Sequence, residues 1–160
     1  IARGEVDGEV VMQIGNGTYL PKHCEYFRTA PGLAPYYEKA DLVVGHNILG
    51  FDYPVLSAYT AIDLTQIPTL DTLTELEKIL KHRLSLDALA RATLGSTKTA
   101  GGLDAIRWWR EGSAENILKI AEYCCYDVKI TRLIHEHGRD RGELYYQDRF
   151  GQKRTVKVKW

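Results

Sequence analysis

The sequence predicts an α/β domain built on a mixed sheet, and three observations carry that expectation. A short apolar run, Leu42-Val43-Val44, leads into Gly45-His46-Asn47 as a fully buried strand would. A helical stretch follows it, and a second strand-like segment, residues 67–72, then runs into apolar residues at helical spacing: Leu73, Leu76, Ile79 and Leu80. Size and composition complete the case. With 160 residues, 44% hydrophobic and 26% charged, the chain suits one domain over residues 1–160 and excludes disorder throughout.

In chain order, the first strands expected are residues 9–14 and 18–20, a hairpin about the Gly15-Asn16-Gly17 turn. Before them, Ile1-Ala2-Arg3-Gly4-Glu5-Val6 lacks the pattern of a buried strand, and Asp7-Gly8 is foremost a turn dipeptide. Pro31, Gly32 and Pro35 interrupt the chain ahead of Tyr36 and Tyr37. Residues 51–59 read as a short helix. Ser85 is placed to cap a helix over 86–94, in which Leu86, Leu89, Ala90 and Thr93 share a face and after which Gly95 supplies the stop. A glycine- and threonine-rich loop spans 96–102. The strongest helical pattern runs over residues 114–137 and ends at Gly138, with Ile117, Ile120, Ala121, Cys124, Val128 and Thr131 spaced to face a core. The tail alternates, so residues 143–160 close the chain as a basic hairpin, Val156, Val158 and Trp160 on one face.

Lysine plus arginine equal aspartate plus glutamate at 21 each, so no whole-protein field draws the chain to nucleic acid or an anionic membrane. The charge is unevenly spread, however: residues 128–160 carry +5 and residues 1–127 carry −5. Any attraction for polyanions is therefore local to the tail, where Lys153, Arg154, Lys157 and Lys159 are the candidate nucleic-acid-binding residues. The competing role for those side chains is simple solvation of the hairpin's outer face. Three cysteines, Cys24, Cys124 and Cys125, make neither a disulfide framework nor a zinc pattern. No apolar run approaches the roughly 18 residues of a membrane helix and no signal segment opens the chain, so the expectation is a cytoplasmic protein without membrane contact.

Two carboxylates stand in unusual settings. Asp52 follows a buried strand where the chain enters a loop and helix, the end of a sheet at which α/β proteins bind ligands; an aspartate there also serves as a helix cap. Asp127 lies mid-helix, one turn after Tyr123, where aspartate has poor intrinsic propensity; a solvated surface position is the plain alternative. His46, beside Asn47, reads as a packing or loop residue. His135 and His137, two apart on a helix, diverge too far to share a metal. Trp108 and Trp109, between Arg107 and Arg110, are either core indoles or stacking platforms for bases.

Together the segments resemble a known family. Asn47-x-x-x-Phe51-Asp52 resembles the second motif of the DEDD superfamily of 3′-to-5′ exonucleases, and Tyr123-Cys124-Cys125-Tyr126-Asp127 resembles the Tyr-x-x-x-Asp third motif of its DEDDy branch. Residues 85–95 and Leu70-Asp71-Thr72 resemble intervening segments of ribonuclease D-like and proofreading exonucleases, and the tail resembles that of helicase-linked bacterial ribonuclease H-like proteins. The resemblance implies a ribonuclease H-like fold, a mixed sheet flanked by helices. It also implies phosphodiester hydrolysis at single-stranded DNA or RNA 3′ ends through two Mg²⁺ or Mn²⁺ ions, with a helicase as a further partner. In that scheme Asp52 and Asp127 are metal ligands, Asp52 largely through water, and Tyr123 orients the attacking water. The chemistry suits the residue types, because two hard cations held by carboxylate oxygens can activate water and neutralise a phosphorane-like transition state. Asp71 falls to a supporting or helix-capping role. The first motif of the family, Asp-x-Glu on the first strand, is not evident: Asp7-Gly8-Glu9 alone fits its spacing, which places the first strand upstream of Ile1. The alternative function is accordingly a non-catalytic nucleic-acid-binding or assembly module on a degenerate fold of the same kind.

Overall fold

A computed structural model describes the backbone of residues 2–6, 9–14, 17–19, 40–58, 61–96 and 102–160, and the side chains of 40–58, 61–96 and 104–160. The expected breaks at Pro31, Gly32 and Pro35, the candidate Asp7, and Cys24 lie outside the described residues. Three strands open the chain, β1 (Ala2–Val6), β2 (Glu9–Ile14) and β3 (Gly17–Tyr19), paired antiparallel in that order. The β2–β3 pairing is the hairpin expected from the sequence, with Ile14 opposite Gly17. β1 corrects it: residues 2–6 do form a strand, Val6 opposite Glu9 and Ala2 opposite Gln13. An edge strand needs only backbone pairing with its neighbour, so the missing apolar run was no bar.

The next layer positions the site. β4 (Val43–Gly45) and β5 (Thr69–Asp71) pair in parallel, Gly45 beside Asp71, so both strands present their carboxyl ends at one place. Beyond β4 the chain turns through His46 and Asn47 into a π-helical turn (Ile48–Asp52) and then α1 (Tyr53–Leu56). That turn needs glycine at position 45, since a Cβ there would lie 2.4 Å from the Ile48 Cβ. Val43, Ile48, Tyr53 and Leu64 form a small buried cluster beneath it, and the Tyr53 hydroxyl ties α1 to Thr69 of β5 at 2.6 Å.

From β5 the chain enters α2 (Thr72–Leu80) directly. α3 (Leu86–Leu89) starts on Ser85, whose Oγ accepts the Ala88 amide, and continues as a π-helical turn (Ala90–Leu94) that stops at Gly95 with φ 67°. α4 (Gly102–Glu111) leads to the long α5 (Ala114–Arg141), and the chain closes with β6 (Glu143–Gln147) antiparallel to β7 (Lys153–Lys157). The main core joins Leu76 of α2, Leu89 of α3, Ile130 and Ile134 of α5 and the hairpin's Leu144 and Val156, all buried. The α/β class and the basic closing hairpin therefore hold.

α5 departs from expectation at two points. Gly138 does not end it: the helix runs one turn further to Gly142, which takes the left-handed φ of 68°. Gly138 instead admits Trp160, because a Cβ at 138 would lie 2.6 Å from the indole Nε1, which donates to the His135 carbonyl at 3.2 Å. The core face is also rotated. Ile117 is exposed, and Ile130 and Ile134 carry the burial together with Ala121. Among the described residues no helix is long and apolar enough to cross a membrane.

Candidate metal and phosphodiester site

Asp71 organises the end of the parallel pair. Its carboxylate, 3% exposed, accepts four backbone amides: Leu73 (3.0 Å) and Thr74 (3.3 Å) at the start of α2, and Asn47 (2.8 Å) and Leu49 (3.0 Å) in the loop after β4. It is thus both the helix cap expected and a clamp that fixes the loop leading to Asp52. Asn47, at φ 68°, also accepts from the Arg83 guanidinium at 2.8 Å. Arg83, an exposed cation at this rim, had no signal in the sequence because its partner lies 36 residues away. His46 spends both ring nitrogens on structure: Nε2 donates to the Leu84 carbonyl (3.0 Å) and Nδ1 pairs with the Thr72 hydroxyl (3.0 Å). Burial pushes its imidazole below the usual histidine range. A packing and loop role is what this geometry describes.

Asp52 sits in helical conformation, and its side chain makes no cap hydrogen bond to α1, which removes the capping explanation for it. Burial, with a smaller contribution from the Asp71 charge, pushes its carboxyl above the ordinary aspartate range. Tyr123 and Asp127 are half-buried on α5, which packs against β4. The two aspartates act on one neighbour. Burial pushes the Cys124 thiol up, and the charges of Asp127 and Asp52 both push it the same way. The charges of Asp71 and Asp127 act on His46 in the opposite direction to burial, and that of Arg83 in the same direction. Phe51, by contrast, points away from the core and is 63% exposed.

The donor set suits a hard cation in kind: two carboxylates, one raised by burial among other carboxylates, where a bound divalent ion would relieve the repulsion. In number it is partial. Among the described residues no group of three or more histidine, cysteine, aspartate or glutamate side chains is arranged to hold a metal ion.

The tail cations are all exposed but do not form one array. Lys157 and Lys153 face outward over β6, Lys157 paired with Glu143 and Lys153 lying 4.2 Å from the Tyr145 ring centroid. Arg154 has the opposite parity, across from Tyr146, and its Nε donates to Asp148 at 2.8 Å. Lys159 lies beyond β7. Of the two indoles on α4, Trp108 is half-buried and Trp109 is exposed.

No curated protein and no solved structure matches this chain significantly. A family model does, that of the RNase_H superfamily, over residues 22–138. That span covers most of the chain and contains β4, β5, Asp52, Asp71, Tyr123 and Asp127. On that match, and with the α/β architecture that carries it, the chain belongs to the ribonuclease H superfamily.

Proposed function

We propose that the protein is a metal-dependent 3′-to-5′ exonuclease of the DEDDy type, acting on single-stranded DNA or RNA ends. What supports this reading is the half-buried Asp52 just beyond the carboxyl ends of two parallel strands, with α5, which carries Asp127, packed against β4. Asp52 and Asp127 would hold Mg²⁺ or Mn²⁺ through carboxylate oxygens, the remaining donors coming from outside the described residues. Ions bound there would supply an activated water and neutralise charge on the scissile phosphate. The chain's own residues do the positioning. Asp71 fixes the loop backbone at Asn47 and Leu49 and so sets where Asp52 stands. Tyr123, one helical turn before Asp127, shares its face of α5, and its hydroxyl would orient the attacking water.

Two carboxylates bind a bare two-metal site poorly, so Asp52 and Asp127 would need further oxygen donors. The test uses the protein with 5′-labelled single-stranded DNA and RNA in Mg²⁺ or Mn²⁺. Asp127→Asn should reduce mononucleotide release by more than the roughly 10- to 100-fold typical of losing a ligand's supporting partner. Tyr123→Phe should lower the rate with less effect on substrate binding. Equal release by wild type and Asp127→Asn would reject the assignment. Binding without any hydrolysis would favour a non-catalytic nucleic-acid-binding module.

A further inference from the structure

The loop joining β6 to β7, residues 148–152, is a fixed platform with an aromatic ring on top. Asp148 Oδ1 accepts the amides of Phe150 (2.9 Å) and Gln152 (3.0 Å), and its carbonyl accepts Gly151 N at 2.9 Å. Asp148 N donates back to the Gln152 carbonyl (2.9 Å), and Arg154 braces Asp148 Oδ2 from β7. Gly151, at φ 75°, supplies the left-handed step the turn requires. Nothing in this network uses the Phe150 side chain, which is 72% exposed. The loop backbone is thus fixed while the Phe150 ring stands in solvent beneath the Arg149 guanidinium.

Its surroundings define what would cover it. Residues 149–159 contain five cations and no carboxylate. Two of the five are already paired with carboxylates, Arg154 with Asp148 and Lys157 with Glu143. Arg149 and Lys153 lie over rings instead, Arg149 at 4.8 Å from the Phe150 centroid and Lys153 at 4.2 Å from that of Tyr145. A partner for this tip must offer a flat apolar face and anions together, as the bases and phosphates of a single strand do.

We propose that this hairpin tip is a single-stranded nucleic-acid contact, with Phe150 stacking on a base and Arg149 and Lys153 meeting the adjacent phosphates. It takes its ligand class from the nuclease reading above but stands on a different element from Asp52 and Asp127. It also narrows the basic tail to particular groups, since Lys157 and Arg154 hold the hairpin together.

The experiment is anisotropy titration of fluorescein-labelled 15-mers of thymidylate and uridylate with the protein in EDTA, over a range of salt concentrations. Wild type should bind. Phe150→Ala should weaken binding by about tenfold, within the roughly five- to hundredfold range of losing one stacked base, and leave the salt slope intact. Arg149→Gln with Lys153→Gln should flatten the slope by about 1.4, or about 0.7 per phosphate contact. No binding by wild type, or a Phe150→Ala protein that binds as tightly as wild type, overturns the proposal, and so does an unchanged slope in the double variant. Because EDTA removes hydrolysis, an inactive protein that shows both effects upholds the tip and sinks only the nuclease reading. An active protein without them sinks only the tip.

Discussion

Asp71→Ala is the perturbation that most directly probes how the site is held. The substitution removes the side chain that accepts the amides of Asn47 and Leu49 while also capping α2. Loss of the cap, through Leu73 and Thr74, costs about 1 kcal/mol. The two loop amides each lose a hydrogen bond to a charged acceptor, worth about 1.5 kcal/mol apiece. The expected destabilisation is about 4 kcal/mol, a large share of the about 5–15 kcal/mol by which a domain is stable. Asp71→Asn keeps one neutral acceptor and should lose about half as much. Urea unfolding followed by far-ultraviolet circular dichroism measures both, with an unchanged denaturant slope showing that the transition is comparable. Asp63→Ala is the control, because Asp63 caps a short exposed turn through Thr65 and should cost clearly less than Asp71→Ala. A loss below about 1 kcal/mol for Asp71→Ala would refute the clamp.

Further outcomes follow from the same geometry. Asp52 has its carboxyl raised in the folded state, first by burial and then by Asp71, so its ionisation opposes folding. Stability should fall as pH rises from the ordinary aspartate value through the raised folded one, and Asp52→Asn should abolish that part of the pH profile while not destabilising the protein at pH 7; a steeper loss in the variant would contradict the sign. Gly138→Ala should destabilise by about 1–3 kcal/mol in urea despite alanine's better helix propensity, because the new Cβ displaces Trp160. Adding Trp160→Ala should return the propensity gain, and a Gly138→Ala protein more stable than wild type would dismiss the close-packing account.

Local signals carried much of this fold. Ser85 and Gly95 bracket their helix because capping and positive φ are properties of a few neighbouring residues. Alternation placed Val156 and Val158 inward for the same reason. Gly138 shows where such signals mislead: glycine after a helical run reads as a stop, whereas here it makes room for a tryptophan 22 residues later. The double duty of Asp71, the Arg83–Asn47 bond and the pairing of Lys157 with Glu143 depend on partners distant in sequence, which periodicity does not encode. Phe51 lies beside Asp52 in the motif and on the π-helical turn at Ile48–Asp52, yet faces solvent.

Whether Asp52 and Asp127 together hold a divalent cation is read from paramagnetic broadening by Mn²⁺ in a ¹⁵N-labelled protein. At substoichiometric Mn²⁺, amide signals around Asp52 and around Cys124 and Asp127 should broaden first and together, and Asp52→Asn with Asp127→Asn should remove that selectivity. Broadening confined to the acidic residues of the exposed surface, or unchanged in the double variant, would contradict that shared binding.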